Sequence, residues 1–532
     1  MQDGCVPWPE PVARTYRERG YWTTEVLGAP LARTPAERAG TALVTAAGKV
    51  TREELDREAD RMAAGLLRAG LTPGDRVVVQ LPNEIGLVVL SLALFRTGIL
   101  PVYALPAHRT TEITHLVAVS GAVAYVCPER VLDCDFRLVA REVIDRTDSL
   151  RHVFVAGDPG PYTALSSIAA DPVALPSPDP EDVALFLLSG GTSGPPKLIP
   201  RTHADYGYQL RETARLCGVG PHSVYLAALP VEHNFALACP GVLGTLRAGG
   251  TAVLAPAPTA DVCFPLIERA GVTITSLVPP LVPLWLDAAE WTEHDLSSLR
   301  VLQVGGARLA PETARQVPKT LGCTLQQVYG MAEGLLNYTR LDDPEDVIVH
   351  TQGRPMSPAD EVRVIGEDGT EAGPGETGEL FTRGPYTLRG YYRAGERNRT
   401  RFTEEGFYRT GDLVRRTAEG NFEVVGRIND VVNRGGEKVP TLEVEEHLLG
   451  AFPLLGAAVI ALPDPLMGER TCACVVPRDG AHPPTLRDVQ AAFRGRGVAA
   501  YKVPDQLVVL ERLPMTGVGK VDKRALRASV EA

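Results

Sequence analysis

Ser189-Gly190-Gly191-Thr192-Ser193-Gly194-Pro195-Pro196-Lys197 follows directly on the apolar run 183–188, Val-Ala-Leu-Phe-Leu-Leu. A short apolar run bounded by glycines reads as a buried strand, so the hydroxyls and glycines fall where a strand leaves its sheet. Such a loop can wrap a phosphate. Glycines let the backbone approach an anion closely, Ser189, Thr192 and Ser193 offer donors, and Lys197 adds positive charge. It is not a Walker A loop, which needs Gly-Lys-Ser/Thr, because Lys197 lies between Pro196 and Leu198. That argues against a kinase or GTPase. Taken alone, the same composition also reads as a Gly/Ser/Pro surface loop.

The 532 residues exceed what one core supports, and 44% hydrophobic content is enough to bury two or more domains. With 54 Lys+Arg against 65 Asp+Glu the net charge is -11, which argues against a general nucleic-acid binder. The 9 cysteines are scattered, odd in number and without Cys-x-x-Cys spacing, so a zinc site is not expected and a reduced, cytoplasmic setting is. The first ten residues contain Asp3 and two prolines and do not read as a signal peptide. The apolar run 87–95 stops at Arg96, about half the ~20 residues a bilayer requires, so no membrane association is expected.

Outward from the loop, helical and strand patterns alternate. Leu55, Ala59, Met62, Ala63, Leu66 and Leu67 recur at helical spacing behind a capping Thr51 and end near Gly70. A strand at 76–81, an apolar helix at 84–97 and a strand at 101–105 follow, and the alternation resumes at 111–126 and 205–254. The Pro- and Asp-rich 171–182 is a loop. The predicted fold is therefore α/β, with helices on both faces of a sheet. Residues 271–280 read as a further strand, and short strands at 361–365 and 378–383 point to a small β-rich subdomain.

Four later stretches carry polar residues where a ligand would lie. Val231-Glu232-His233-Asn234-Phe235 precedes a helix-like apolar segment, an arrangement that aims short polar groups into a cavity; His233 alone also reads as a satisfied histidine. The strand 301–304 ends in Gly305-Gly306-Ala307, where small residues admit a flat ring at a carboxyl end of the sheet, or merely turn the chain before a helix at Pro311. The strand 324–328 runs into Tyr329-Gly330-Met331-Ala332-Glu333, offering an aromatic face and a hard oxygen ligand. In Tyr408-Arg409-Thr410-Gly411-Asp412, an Asp after a turn glycine can accept two ribose hydroxyls or serve the turn itself.

These motifs, in this order, resemble the adenylate-forming superfamily, and most closely its stand-alone aryl-acid AMP ligases. The resemblance covers nearly the whole chain. It implies a large N-terminal domain of α/β sheets with a small β-rich subdomain, residues 1–428, and a small mobile α+β lid, residues 429–532, turning about Asn429 and Asp430. It implies that Lys520, in Gly517-Val518-Gly519-Lys520, is the catalytic lysine, with His233 and Glu333 in the chemistry and Glu333 holding Mg²⁺. Asn234, Phe235, Cys239, Gly306, Ala307, Val328 and Leu336 would line the acid pocket. ATP would meet Ser189, Gly190, Gly191, Thr192, Ser193, Gly194, Lys197, Gly305, Tyr329, Gly330, Met331, Asp412 and Arg427. Ala332 replaces the family's usual Thr, a substitution the aryl-acid branch shares. Arg434-Gly435-Gly436 would pass a phosphopantetheine arm or simply turn the chain.

The implied reaction is aryl-acid adenylation with release of pyrophosphate, then transfer to the phosphopantetheine thiol of a separate aryl carrier protein, by a monomer or dimer. In this branch the Asn at 234 bonds the ortho substituent. Many 2,3-dihydroxybenzoate enzymes carry Ser where this chain has Cys239, and Val where it has Leu336. A thiol is a weak donor, and an unsatisfied buried hydroxyl costs about 1 to 3 kcal/mol. Salicylate is therefore the expected acid. 2,3-Dihydroxybenzoate, 2-aminobenzoate and an aryl-CoA ligase activity are the alternatives.

Overall fold

From residue 41 onward, runs of β-branched and aliphatic residues form strands that gather into two large sheets in the computed structural model. It describes residues 2–531 except 33, 47, 132, 190–195, 435–436, 479, 497 and 518, and only the backbone of Asn429 and Lys438. The first sheet runs, in spatial order, Arg354–Pro355, Leu336–Tyr338, Thr324–Gly330, Val301–Gly305, Ile274–Leu277, Val224–Ala227, Thr251–Leu254, Thr41–Thr45 and Gly48–Thr51. Its six central strands are parallel. The second sheet runs Leu198–Thr202, Val183–Leu188, Leu100–Tyr103, Arg76–Val79, Ala124–Pro128, His152–Ala156 and Thr163–Ala164.

Helices lie between and around these sheets. Arg52–Arg68 starts at Thr51, whose hydroxyl and the Glu54 side chain form a capping box, and it buries Leu55, Ala59, Met62, Ala63 and Leu66. Ile85–Thr97 is apolar on all sides because it is enclosed on all sides, and it stops at Gly98 in the left-handed conformation, φ 69°. Both helices belong to one apolar cluster that reaches strands of each sheet. The two sheets therefore share one apolar core.

A polar tie fixes where the sheets meet. Asn83 Nδ2 donates to the carbonyls of Ala227, Leu229 and Ala255, and its Oδ1 accepts from the Val231 amide. Glu232 Oε1 accepts from the Leu81 amide at 3.2 Å. The loop 229–233 of one sheet is thus pinned to the strand end of the other.

Glu361–Ile365, Thr377–Arg383, Tyr408–Arg416 and Phe422–Arg427 form a four-stranded antiparallel sheet. Beyond it, Val431–Arg434, Glu437–Pro440, Leu454–Asp464, Gly468–Pro477 and Gln506–Val509 make a five-stranded sheet with helices Thr441–Ala451, Leu486–Gly495 and Lys523–Glu531. This segment has apolar clusters of its own, around Val444, Leu448 and Phe493 and around Ile460 and Leu526.

Two expectations change. The strand at 271–280 shrinks to Ile274–Leu277, followed by a 3-10 turn at Pro279–Leu281, because two consecutive prolines donate no ladder hydrogen bonds. Asp412 lies inside the strand Tyr408–Arg416, not in a turn. Gly411, at φ 74°, accommodates a β-bulge where the register against Thr377–Arg383 shifts.

Glu232 is 4% exposed, and burial pushes its carboxyl from an ordinary 4.5 up to about 8. Between those values the folded state keeps a proton that the unfolded chain has lost, so this group lowers stability as pH rises. Glu232→Gln keeps the acceptor for Leu81 and removes the titration. Its stability relative to the parent should increase from about pH 5 to about 8 and then level off, read from urea unfolding across that range.

Candidate active site

A cavity of about 300 Å³ opens between the carboxyl ends of the parallel strands, the four-stranded sheet and the C-terminal segment. Ligands of open α/β sheets bind at this end. It divides by chemistry into an uncharged half and a charged half.

The uncharged half is lined by Asn234, Phe235, Cys239, Gly305, Gly306, Val328 and Leu336. Asn234–Ala238 is a short helix capped by His233, whose Nδ1 accepts from the Phe235 amide at 3.3 Å. Burial and nearby Lys520 push the imidazole down to about 4, so it is neutral at pH 7 with its proton on Nε2. A Cβ on Gly305 would lie 2.8 Å from the Val328 carbonyl and 3.1 Å from the Phe235 ring. Only glycine leaves room there. Ala307 does not join this wall: Gly306 turns the chain at φ 90°, and Ala307 is exposed outside the lining.

Asn234 is 6% exposed, and its orientation is dictated from behind. Its Oδ1 accepts from Tyr206 Oη at 2.8 Å and from Gln209 Nε2 at 3.2 Å, while its Nδ2 faces Cys239 Sγ at 3.7 Å. Gln209 in turn donates to the Ala238 carbonyl and accepts from Arg201 Nη2 at 3.0 Å. Arg201 is fully buried, paired with buried Asp205 at 2.8 Å and stacked 4.8 Å over Tyr206. Its other arm donates to the Ala332 carbonyl beside Glu333.

In the charged half, Lys197, Arg397, Arg401, Arg427 and Lys520 meet Glu333, Asp412 and Asp430. The excess of cations suits a polyphosphate. Arg427 Nε donates to Asp412 Oδ1 at 2.8 Å, the two being directly opposite on neighbouring strands. Asp412 Oδ2 accepts from Tyr329 Oη at 2.8 Å. The Asp412 carboxylate holds the Arg427 guanidinium well above its ordinary value. Tyr329 itself does not line the cavity, whereas Gly330 and Met331 do.

Lys520 enters from the C-terminal segment. Met515 and Val521 pair across a tight turn in which the Thr516 amide donates to the Lys520 carbonyl and the Thr516 hydroxyl accepts from the Lys520 amide. Gly517 packs on Leu105 and Ala107, and Gly519 on Val278, at distances where a Cβ would crowd the neighbour. Desolvation, then Arg427, push the Lys520 ammonium down to about 8 against the pull of Asp412 and Glu333.

Ser189 and Lys197 close the neck of the glycine-rich loop: the Ser189 amide donates to the Lys197 carbonyl, and its hydroxyl accepts from the Lys197 amide. Gly190, Gly191, Thr192, Ser193 and Gly194 lie outside the described residues. Of the expected hinge pair, Asp430 lines the cavity and Asn429 is described by its backbone alone.

Tyr391, Tyr408, Arg397 and Arg401 are among the lining residues that the sequence reading did not assign to the site. Tyr391 donates to Glu333 Oε1 at 2.7 Å, bonds Tyr408 Oη at 2.9 Å, and lies under Lys197 at 5.9 Å. Arg397 and Arg401, one turn apart on the helix Gly395–Arg401, complete the cationic wall. The spacing of the two arginines was the available signal.

Glu333 is 7% exposed and supplies one hard oxygen donor set. Among the described residues no three His, Cys, Asp or Glu side chains cluster to hold a metal. One carboxylate beside a polyphosphate-sized basic cavity is the donor set Mg²⁺ takes when phosphates supply most of its ligands.

Residues 31–392 match the AMP-binding enzyme family and residues 443–520 its C-terminal domain. The chain belongs to the AMP-binding enzymes, the adenylate-forming superfamily, and within them to the aryl-acid AMP ligases. It is 51% identical over 532 residues to the 2,3-dihydroxybenzoate-AMP ligase of Bacillus subtilis (strain 168), covering 100% of this chain and 98% of that one. It is 47% identical to the salicyl-AMP ligase / salicyl-S-ArCP synthetase of Mycobacterium tuberculosis, covering 98% and 94%. Among solved structures it resembles apo MbtA of Mycobacterium smegmatis, at 46% identity and TM-score 0.77, covering 99% and 98%. No helix among the described residues is long and apolar enough to cross a membrane.

Proposed function

We propose that this enzyme joins salicylate to AMP, releasing pyrophosphate, and then passes the salicyl group to the phosphopantetheine thiol of a separate aryl carrier protein. The observation that carries this reading is the convergence of Asn234, Asp412, Glu333 and Lys520 on one cavity. The uncharged half accommodates a planar ring against Gly305 and Gly306, and the charged half a nucleotide phosphate chain. A carboxylate oxygen at their junction attacks the α-phosphorus as the bond to pyrophosphate breaks. Two anions must meet, so the protein's task is positioning and charge neutralisation, and no side-chain nucleophile is required.

In this scheme Asp412 accepts from the ribose hydroxyls and Arg427 orients it. Tyr329 buttresses the same carboxylate. His233 offers its Nε2 proton to the oxygen that develops charge, and Lys520 with Lys197 spreads over the phosphates. Glu333 would hold Mg²⁺, which when bound supplies Lewis-acid polarisation of the phosphate oxygens. We divide the chain at 428/429, so that movement of the 429–532 lobe would withdraw Lys520 and admit the thiol. All 9 cysteines are free, which suits a reducing, cytoplasmic setting.

The ring's third position separates salicylate from 2,3-dihydroxybenzoate. Cys239 Sγ lies 3.4 Å from the Asn234 carbonyl, to which its thiol donates, so it offers a 3-hydroxyl only a weak acceptor. Leu336 adds bulk to the same pocket. Initial rates of pyrophosphate exchange over a panel of benzoates should be highest with salicylate, and a clear preference for 2,3-dihydroxybenzoate would overturn the assignment. Cys239→Ser should raise kcat/KM for 2,3-dihydroxybenzoate relative to salicylate by about tenfold, the equivalent of roughly 1.4 kcal/mol.

Lys520 supplies the pH signature. Its ammonium is charged below about 8 and neutral above, so kcat/KM for ATP in adenylate formation should fall as pH rises through about 8. Lys520→Arg, charged at every assay pH, should abolish that decline. Lys520→Ala should slow single-turnover adenylate formation by roughly 100-fold or more, as expected for losing a preorganised electrostatic group.

A further inference from the structure

Behind the acid pocket lies a buried polar chain, Arg201, Gln209, Asn234, whose hydrogen-bond sense admits one solution. Arg201 can only donate, so the Gln209 atom it reaches at 3.0 Å must be the oxygen. A backbone carbonyl can only accept, so the Gln209 atom 3.1 Å from the Ala238 carbonyl must be the nitrogen. Both constraints give the same orientation. The same nitrogen lies 3.2 Å from Asn234 and 3.7 Å from the weaker acceptor Cys239 Sγ, and a donor nitrogen at 3.2 Å requires the Asn234 atom facing it to be Oδ1. Tyr206 Oη, able to donate or accept, follows by donating to the same oxygen at 2.8 Å. All four side chains are at most 6% exposed, so water cannot substitute for any of these partners.

We propose that Gln209 is the specificity-determining positioning residue of the acid pocket: it locks Asn234 with Nδ2 toward the ligand, restricting substrates to acids whose ortho group presents an acceptor. This rests on the salicylate reading above and extends it to the ortho position. In salicylate the phenolic hydrogen bonds the acid's own carboxylate, leaving the oxygen lone pairs on the outer edge to accept from Nδ2. In 2-aminobenzoate one N–H makes that internal bond and the other points outward, directly at the Nδ2 donor. A donor facing a donor leaves both unpaired in a buried site, the kind of mismatch that discriminates strongly between isosteres. An unlocked Asn234 would rotate its amide and serve either acid. Gln209 touches no substrate; it acts through Asn234.

The test is the ratio of kcat/KM for salicylate to that for 2-aminobenzoate in pyrophosphate exchange, with benzoate as the reference acid lacking an ortho group. The parent should prefer salicylate by at least tenfold. Gln209→Met, similar in length but unable to donate, should lower that ratio by at least fivefold while kcat/KM for benzoate and KM for ATP stay within threefold of the parent. Tyr206→Phe should leave the ratio within threefold, because Gln209 alone enforces the orientation. A smaller change in the Gln209→Met ratio, or an equal loss on all three acids, overturns the proposal. Should that variant not fold, Gln209→Leu is read by the same criteria. A parent that prefers 2-aminobenzoate contradicts the lock directly. A parent inactive on every benzoate rejects the functional reading itself, and the lock with it.

Discussion

The molecule is organised by a repulsion. An aromatic carboxylate and a nucleotide triphosphate are both anions, and the cavity answers with five cationic side chains against three carboxylates. Burial first, and then the neighbouring arginines, depress the ammonium groups of Lys520 and Lys197. Fixed counterparts offset part of that crowding: Arg427 lies on Asp412, and Arg401 reaches the Arg409 carbonyl. Lys520 is seated by its tight turn and by glycine contacts with Leu105, Ala107 and Val278. A polyphosphate supplies what that arrangement lacks, so anion binding and the seating of Lys520 favour each other.

The buried pair Arg201 and Asp205 serves a different end. Removing two charges from water is expensive, and such pairs rarely add net stability over an apolar replacement. What this one supplies is direction. Asp205 is engaged by Arg201 and by the amide and hydroxyl of Thr202, which leaves the guanidinium arms free to reach Gln209 on one side and the Ala332 carbonyl on the other. One cation thereby orients both the amide that faces the ring and the loop that carries Glu333. The two halves of the cavity share a rigid support.

The sequence made some of this legible and not the rest, for identifiable reasons. The strand 183–188 was legible because an apolar run ending in glycines has few other readings, and the helix after Thr51 because its capping box is local. Asn234, Cys239 and Leu336, which motif order grouped together, lie along one cavity. Asp412 was taken for a turn residue because Gly411 suggests a turn, whereas a bulge uses the same left-handed glycine within a strand. Ala307 was grouped with its glycines because sequence adjacency does not reveal on which side of a φ 90° bend a residue falls. Tyr391, Arg397 and Arg401 were missed because only tertiary packing brings their stretch against Glu333.

The contacts between the C-terminal segment and the rest of the chain follow from the same electrostatics. Arg308 sits between Glu423 of the four-stranded sheet and Glu446 of the helix Thr441–Ala451, at 3.3 and 2.8 Å. Burial pushes the Glu446 carboxyl up to about 7 despite the guanidinium beside it. A second pair, Arg478 with Asp287, is more exposed and longer, 3.4 Å. Ion pairs of this kind define an orientation, and the more exposed Arg478–Asp287 pair regains water readily when parted. An apolar interface would hold Lys520 in the cavity more tightly and would oppose its withdrawal by the same amount. On the proposed reading, in which the adenylate is first enclosed and then exposed to a thiol, contacts that are directional and weak serve the C-terminal segment better.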